Sequence, residues 1–136
     1  MPAAGCAVSA TRVLVVEDDP SVRGLLQTLL TAEGYDVTTA SDGLAGLVKA
    51  SATSPQLILL DLMMPDLGGA RVLGELREDA ALAGTPVIVV TGRQDAVPAM
   101  RDLLGEDAVF LKPFAVSELL LRVDAVTGGP DAGDAP

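Results

Sequence analysis

Leu57-Ile58-Leu59-Leu60-Asp61 decides the fold: four consecutive aliphatic residues, with no polar alternation, run directly into a carboxylate. An apolar run of that length is far too short to cross a membrane and suits a strand covered on both faces, as in a parallel sheet. Runs of the same kind lie outward from it at Val13 to Val16, Val87 to Val90 and Ala108 to Leu111, with a polar-mixed one at Asp36 to Ala40. Between them apolar residues recur at three and four positions: Val22, Leu25, Leu26, Leu29 and Leu30; Leu44, Leu47 and Val48; Val72, Leu73 and Leu76; Val97, Met100 and Leu104; Val116, Leu119, Leu120 and Val123. Each set predicts a helix with one apolar stripe. Five strand-helix alternations imply right-handed crossovers and an open, doubly wound α/β sheet with helices on both faces. Gly34 is placed to stop the first helix, Ser41 or Asp42 to cap the second, and Pro86 to precede the fourth strand.

The 136 residues suffice for one domain with a continuous core. Hydrophobic residues make up 49% of the chain and aromatic ones 2%, so that core is aliphatic. Residues 1–10 and 127–136, rich in Ala, Gly, Pro and Asp without periodicity, read as flexible tails around a domain at 11–126. The first of these stretches has no Lys or Arg ahead of its apolar residues, which argues against a secretory signal. A net charge of -10 disfavours nonspecific binding to nucleic acid or an anionic membrane. With no histidine and one cysteine, Cys6, the chain has no His-based triad, no histidine-bearing zinc site and no intrachain disulfide. Cys6 reads as an incidental free thiol, and the expected compartment is the cytoplasm.

Chemistry therefore falls to carboxylates. In an open parallel sheet ligands bind beyond the carboxyl ends of the strands, and the residues there are Glu17 and Asp18, Asp61, Thr91 and Lys112. Any one of these acids alone reads equally well as a solvated loop residue, and Thr91 as a strand-end hydroxyl bonded to backbone. Together they form a set. Clustered carboxylates repel and call for a cation, and an oxygen-only site with room for water suits Mg²⁺. Asp61, ending the central run, is then placed as a nucleophile toward phosphorus, with Lys112 supplying positive charge and Thr91 a hydroxyl donor.

Four motifs in order carry a family resemblance: Val13-Leu14-Val15-Val16-Glu17-Asp18-Asp19-Pro20, Leu57 through Asp61 continuing to Pro65 and Gly68-Gly69, Val87-Ile88-Val89-Val90-Thr91-Gly92, and Phe110-Leu111-Lys112-Pro113-Phe114. From Arg12 to Val126 the sequence resembles the receiver domain of bacterial two-component response regulators. The resemblance implies a flavodoxin-like (βα)5 fold with strand order 2-1-3-4-5. It also implies Mg²⁺ held by Glu17, Asp18, Asp61 and the carbonyl of Met63, with Asp61 as phosphoacceptor, Thr91 as switch hydroxyl, and Lys112 paired with the phosphoryl group ahead of a cis bond to Pro113. The donor it implies is a sensor histidine kinase or histidine phosphotransfer protein, with a separate output protein as the switch's target. From the net charge and the lack of a long apolar run, no membrane and no direct nucleic-acid partner are expected.

Two features depart from the family pattern. Val109 occupies the place of the usual Tyr or Phe three residues before the lysine, and Phe110, one position later, is expected on the opposite side of its strand. The segment from Gly105 to Lys112 is one residue short. Among alternatives, a haloacid-dehalogenase-like phosphatase needs a second aspartate where Met63 stands. A flavodoxin-like FMN module needs a hydroxyl- and glycine-rich phosphate loop where Glu17-Asp18-Asp19 stands, and neither a dinucleotide nor a P-loop glycine motif is present. A receiver-like binding module without phosphorylation is weighed down by the intact key positions. The expected function is a phosphorylation switch, not a turnover enzyme, on a chain with no output domain.

Overall fold

A computed structural model describes residues 10–64 and 68–131. The strands are β1 (Arg12–Val16), β2 (Asp36–Ala40), β3 (Leu57–Asp61), β4 (Val87–Thr91) and β5 (Val109–Leu111). The helices are α1 (Pro20–Ala32), α2 (Gly43–Thr53), α3 (Gly69–Glu78), α4 (Val97–Leu104) and α5 (Val116–Thr127). All strand pairs are parallel, as the doubly wound reading expects, and the order is β2-β1-β3-β4-β5, as the family resemblance implies. Ala108 closes a short 3-10 turn and lies outside β5.

The period-two geometry of a strand divides each aliphatic run between two cores. Leu14, Val16, Ile58, Leu60, Val87, Val89 and Val109 pack with Val72, Leu73 and Leu76 of α3 and Val97 of α4. Val13, Val15, Leu57, Leu59 and Ile88 pack with Leu26 and Leu30 of α1 and Leu119 and Val123 of α5. Phe110 joins the second core and Val109 the first, so they face opposite sides as expected. Among the described residues no helix is long and apolar enough to cross a membrane.

α2 departs from its sequence pattern. Leu44 and Val48 are 61% and 63% exposed, Leu47 is partly buried, and the buried positions are Gly43, Gly46 and Ala50. Close approach is the reason: a Cβ on Gly46 would meet both Val16 methyl groups at 2.9 Å. Small residues bring the helix axis onto the sheet and turn its larger side chains outward. In α1, Leu25 of the expected stripe is likewise half exposed.

Asp42 caps α2 by accepting from the Ala45 N–H at 2.8 Å, and Gly34, at φ 103°, follows the end of α1. The expected tail beginning at Thr127 differs in its first residues. Thr127 belongs to α5, and the carbonyls of Gly129 and Pro130 accept from the Thr11 hydroxyl at 2.6 Å and the Thr11 N–H at 2.8 Å. Tyr35, buried, hydrogen-bonds to Asp124 and Thr127, further tying α5 to the start of β2. The remainder of both expected tails, at 1–9 and 132–136, lies outside the described residues.

Candidate functional site

The strand order reverses at β1, which has β2 on one side and β3 on the other. The crevice beyond the carboxyl ends of β1 and β3 is therefore the topological switch point. Glu17 and Asp18 follow β1 there, Asp61 closes β3, Thr91 closes β4 and Lys112 follows β5. Pairing of Val16 with Leu60, Asp61 with Val90 and Thr91 with Leu111 brings these ends level. One carboxylate oxygen from each of Glu17, Asp18 and Asp61 lies within 4.8 Å of the others. Glu17 and Asp61 are each only 2% exposed.

Local bonding explains why the acidic loop folds this way. The Glu17 N–H donates to Ala40 at 3.0 Å, extending the β1–β2 ladder by one residue. The Asp19 N–H donates to Glu17 Oε2 at 3.2 Å, and Asp19 Oδ1 in turn accepts from the Ser21 N–H at 2.9 Å to cap α1, with Pro20 in the first turn. Asp19 thus serves the helix while Glu17 and Asp18 serve the crevice. On β3, the Met63 N–H donates to Asp61 Oδ1 at 2.9 Å. A Cβ on Gly69 would stand 2.5 Å from the Asp61 carbonyl oxygen, so only glycine allows α3 to begin this close to the site.

Lys112 reaches the cluster from β5. Its N–H donates to the Thr91 carbonyl at 2.7 Å, its Nζ lies 2.8 Å from Glu17 Oε1 and 3.6 Å from Asp61 Oδ2, and its bond to Pro113 is cis, as the resemblance implied. The ammonium is thus closer to Glu17 than to the central aspartate. Burial pulls the Lys112 pKa down, but the Glu17 hydrogen bond and the charges of Asp61 and Glu17 outweigh it and leave it raised. Thr91 is fully buried, and its hydroxyl oxygen accepts from the Arg93 N–H at 3.0 Å. That contact is the backbone role considered for it, but it uses only an oxygen lone pair and leaves the hydroxyl proton to donate.

Charge balance tests whether the site fits a cation. Three carboxylates face one ammonium, and burial followed by the Glu17 hydrogen bond and charge pushes Asp61 up to about 7, against the opposing Met63 N–H and Lys112. A buried carboxylate so reluctant to ionise is under-compensated by the single ammonium of Lys112, which lies closer to Glu17. The donors are hard oxygens, the set that Mg²⁺ prefers while keeping waters of its own. The residues fit that ion.

Arg23 was not identified from the sequence, yet its guanidinium donates to the carbonyls of Glu17 and Asp18. Its signal is positional: four residues past the capping Asp19, it is one turn into α1 and faces back over the loop. Away from the acids, a groove of about 600 Å³ runs beside β5, lined in part by Arg101 of α4, Val109, Phe110 and Phe114, and Leu121 and Arg122 of α5.

Comparison with known proteins places this fold and sequence in a family. Residues 13–124 match the family model described as response regulator receiver domain. The chain is 39% identical over 115 residues to the DNA-binding response regulator MtrA of Mycolicibacterium smegmatis, covering 84% of this chain and 49% of that one. It is 36% identical over 117 residues to the response regulator ArlR of Staphylococcus saprophyticus, covering 85% and 52%. The chain thus spans about half the length of the curated relatives it matches. Because one of them is a DNA-binding protein, the exclusion of nucleic acid drawn from net charge finds no support at the level of the family. Among solved structures, the chemotaxis protein CheY4 of Vibrio cholerae superposes with a TM-score of 0.78 at 28% identity over 87% of this chain and 99% of that one. The response regulator TrrA of Thermotoga maritima, solved in complex with Mg²⁺-BeF, superposes with a TM-score of 0.71 at 30% identity over 85% and 98%. On fold, strand-end chemistry and sequence, the chain belongs to the response regulator receiver domain family.

Proposed function

We propose that Asp61 accepts a phosphoryl group from a phosphohistidine on a sensor kinase or phosphotransfer protein, and that this charge switches the chain between two conformations. The observation that carries this reading is the convergence of Glu17, Asp18, Asp61, Thr91 and Lys112 at the switch point of the sheet. An Asp61 carboxylate oxygen attacks phosphorus, the phosphorus–nitrogen bond of the donor breaks, and the electron pair leaves with the imidazole. Glu17, Asp18, Asp61 and the Met63 carbonyl would hold Mg²⁺, which when bound neutralises the oxygens of the transferring group. Lys112 exchanges part of its contact with Glu17 for a phosphoryl oxygen, and the Thr91 hydroxyl donates its free proton to another.

Hydrolysis of the product returns the carboxylate, so the chain promotes its own phosphorylation and dephosphorylation without turning over a diffusible substrate. A cytoplasmic setting goes with the same reading. Since Thr91 and Lys112 lead into α4 and the segment before α5, the response is expected on the face formed by α4, β5 and α5. There Val109, smaller than the family's aromatic, offers less packing difference between states, which favours a weak or partner-dependent response. Intact mass after incubation with acetyl phosphate tests the proposal: one phosphoryl group should be gained with Mg²⁺ and none with chelator. Equal labelling in chelator would refute the metal role, and no labelling would leave the fold as a binding module only.

A further inference from the structure

Arg23 places a cation beside the acidic loop without forming an ion pair to any described carboxylate. Its own N–H donates to the Asp19 carbonyl at 2.9 Å, while Nη1 donates to the carbonyl of Glu17 at 3.0 Å and of Asp18 at 3.2 Å. The two residues whose main chains it grips are the two whose carboxylates gather with Asp61. Glu17 has further restraints in Ala40, Asp19 and Lys112. For Asp18, the hydrogen bond from Arg23 is the one found among the described residues. Like charges held within 4.8 Å tend to spread apart, and a loop residue without restraint turns its peptide plane to let them.

Resting on the function proposed above, we propose that Arg23 is a positioning residue for the divalent cation: it locks the peptide planes of Glu17 and Asp18 so that both carboxylates stay turned toward Asp61. It touches neither the ion nor the phosphoryl group. Two effects of Arg23 on the ion oppose each other, which makes the sign of the result informative. The guanidinium charge repels a dication, so removing charge alone tightens binding; the tether organises the ligands, so removing it loosens binding. Supporting contacts behind metal ligands commonly affect affinity by about 10- to 100-fold.

Calorimetric titration of the unphosphorylated chain with Mg²⁺, paired with its thermal unfolding, decides between them. Arg23→Met keeps a helix-compatible aliphatic stem and should raise the Mg²⁺ dissociation constant at least about tenfold, while labelling by acetyl phosphate at saturating Mg²⁺ stays near the wild-type rate. Arg23→Lys, whose single nitrogen can serve both carbonyls, should recover part of the affinity. Unchanged or tighter Mg²⁺ binding in Arg23→Met, with wild type binding and labelling normally, would overturn the proposal even if the melting temperature fell. A wild-type chain that binds no Mg²⁺ would instead overturn the functional reading beneath it.

Discussion

Asp61→Asn should make the metal-free protein more stable, and the gain should depend on pH in a direction fixed by the site. The Asp61 carboxyl is raised from 3.8 to about 7, chiefly by burial and then by Glu17. With a folded pKa above the unfolded one, the native state holds this proton more tightly. The stability so gained is full below about pH 4 and is lost as pH rises through about 7. At about 1.4 kcal/mol per tenfold change in proton affinity, the ionised carboxylate costs the fold at most about 4 kcal/mol at alkaline pH. The attraction of Lys112 is already contained in that shift, and solvent penetration screens part of the cost, so about 1–2 kcal/mol is the expected gain.

Urea unfolding in metal-free buffer at about pH 3, below the unfolded pKa, and at about pH 8 measures it. Both proteins carry the same remaining excess of acidic charge, so its general pH effect cancels in the difference between them. The variant should match wild type at the lower pH, within a few tenths of a kcal/mol, and exceed it by about 1–2 kcal/mol at the higher one. Adding Mg²⁺ at pH 8 should stabilise wild type more than the variant and close the gap. A variant equally or less stable at pH 8 without metal would show that Asp61 is not a frustrated buried charge, and the electrostatic case for a cation would fall with it.

Glu17→Gln combined with Asp18→Asn should abolish both calorimetric Mg²⁺ binding and labelling while circular dichroism stays native; retained binding would remove these acids from the ion's ligand set. Gly46→Ala should destabilise by about 1–3 kcal/mol in urea, despite the better helix propensity of alanine, because the new methyl meets Val16 at 2.9 Å; a stabilised variant would refute the close approach of α2. Tyr35→Phe should cost about 1 kcal/mol in thermal unfolding by removing the bonds to Asp124 and Thr127, with labelling unchanged. The Tyr35 hydroxyl, pushed up to about 12 by burial and then by Asp124, should remain protonated in an ultraviolet titration through pH 10; ionisation near its ordinary value would contradict that buried bond.

The parts of this molecule legible in the sequence are those where residue type and chain position carry the same message. Uninterrupted aliphatic runs mark strands covered on both sides, and the polar residue ending each run marks the edge where ligands bind, which is how Glu17, Asp61, Thr91 and Lys112 were found together. Val109 and Phe110 were assigned to opposite faces because strand periodicity leaves no other choice. The α2 face differs from its sequence pattern because apolar spacing favours Leu44 and Val48, whereas packing rewards the absence of a side chain at Gly46. Gly129 and Pro130 read as tail because their bonds to Thr11 link positions far apart in the chain by backbone carbonyls, which leave no side-chain signature. Arg23 escaped for a related reason: its partners are main-chain oxygens, so no complementary acid betrays it.

Chemical location of the phosphoryl group tests the central claim most directly. Borohydride reduces an acyl phosphate to a primary alcohol, so protein labelled with acetyl phosphate in Mg²⁺, reduced and digested, should carry homoserine at position 61. The same treatment of Asp61→Asn should yield none. Homoserine at 18, 5-hydroxynorvaline (the alcohol that glutamyl phosphate yields) at 17, or undiminished reduction in Asp61→Asn would contradict the account.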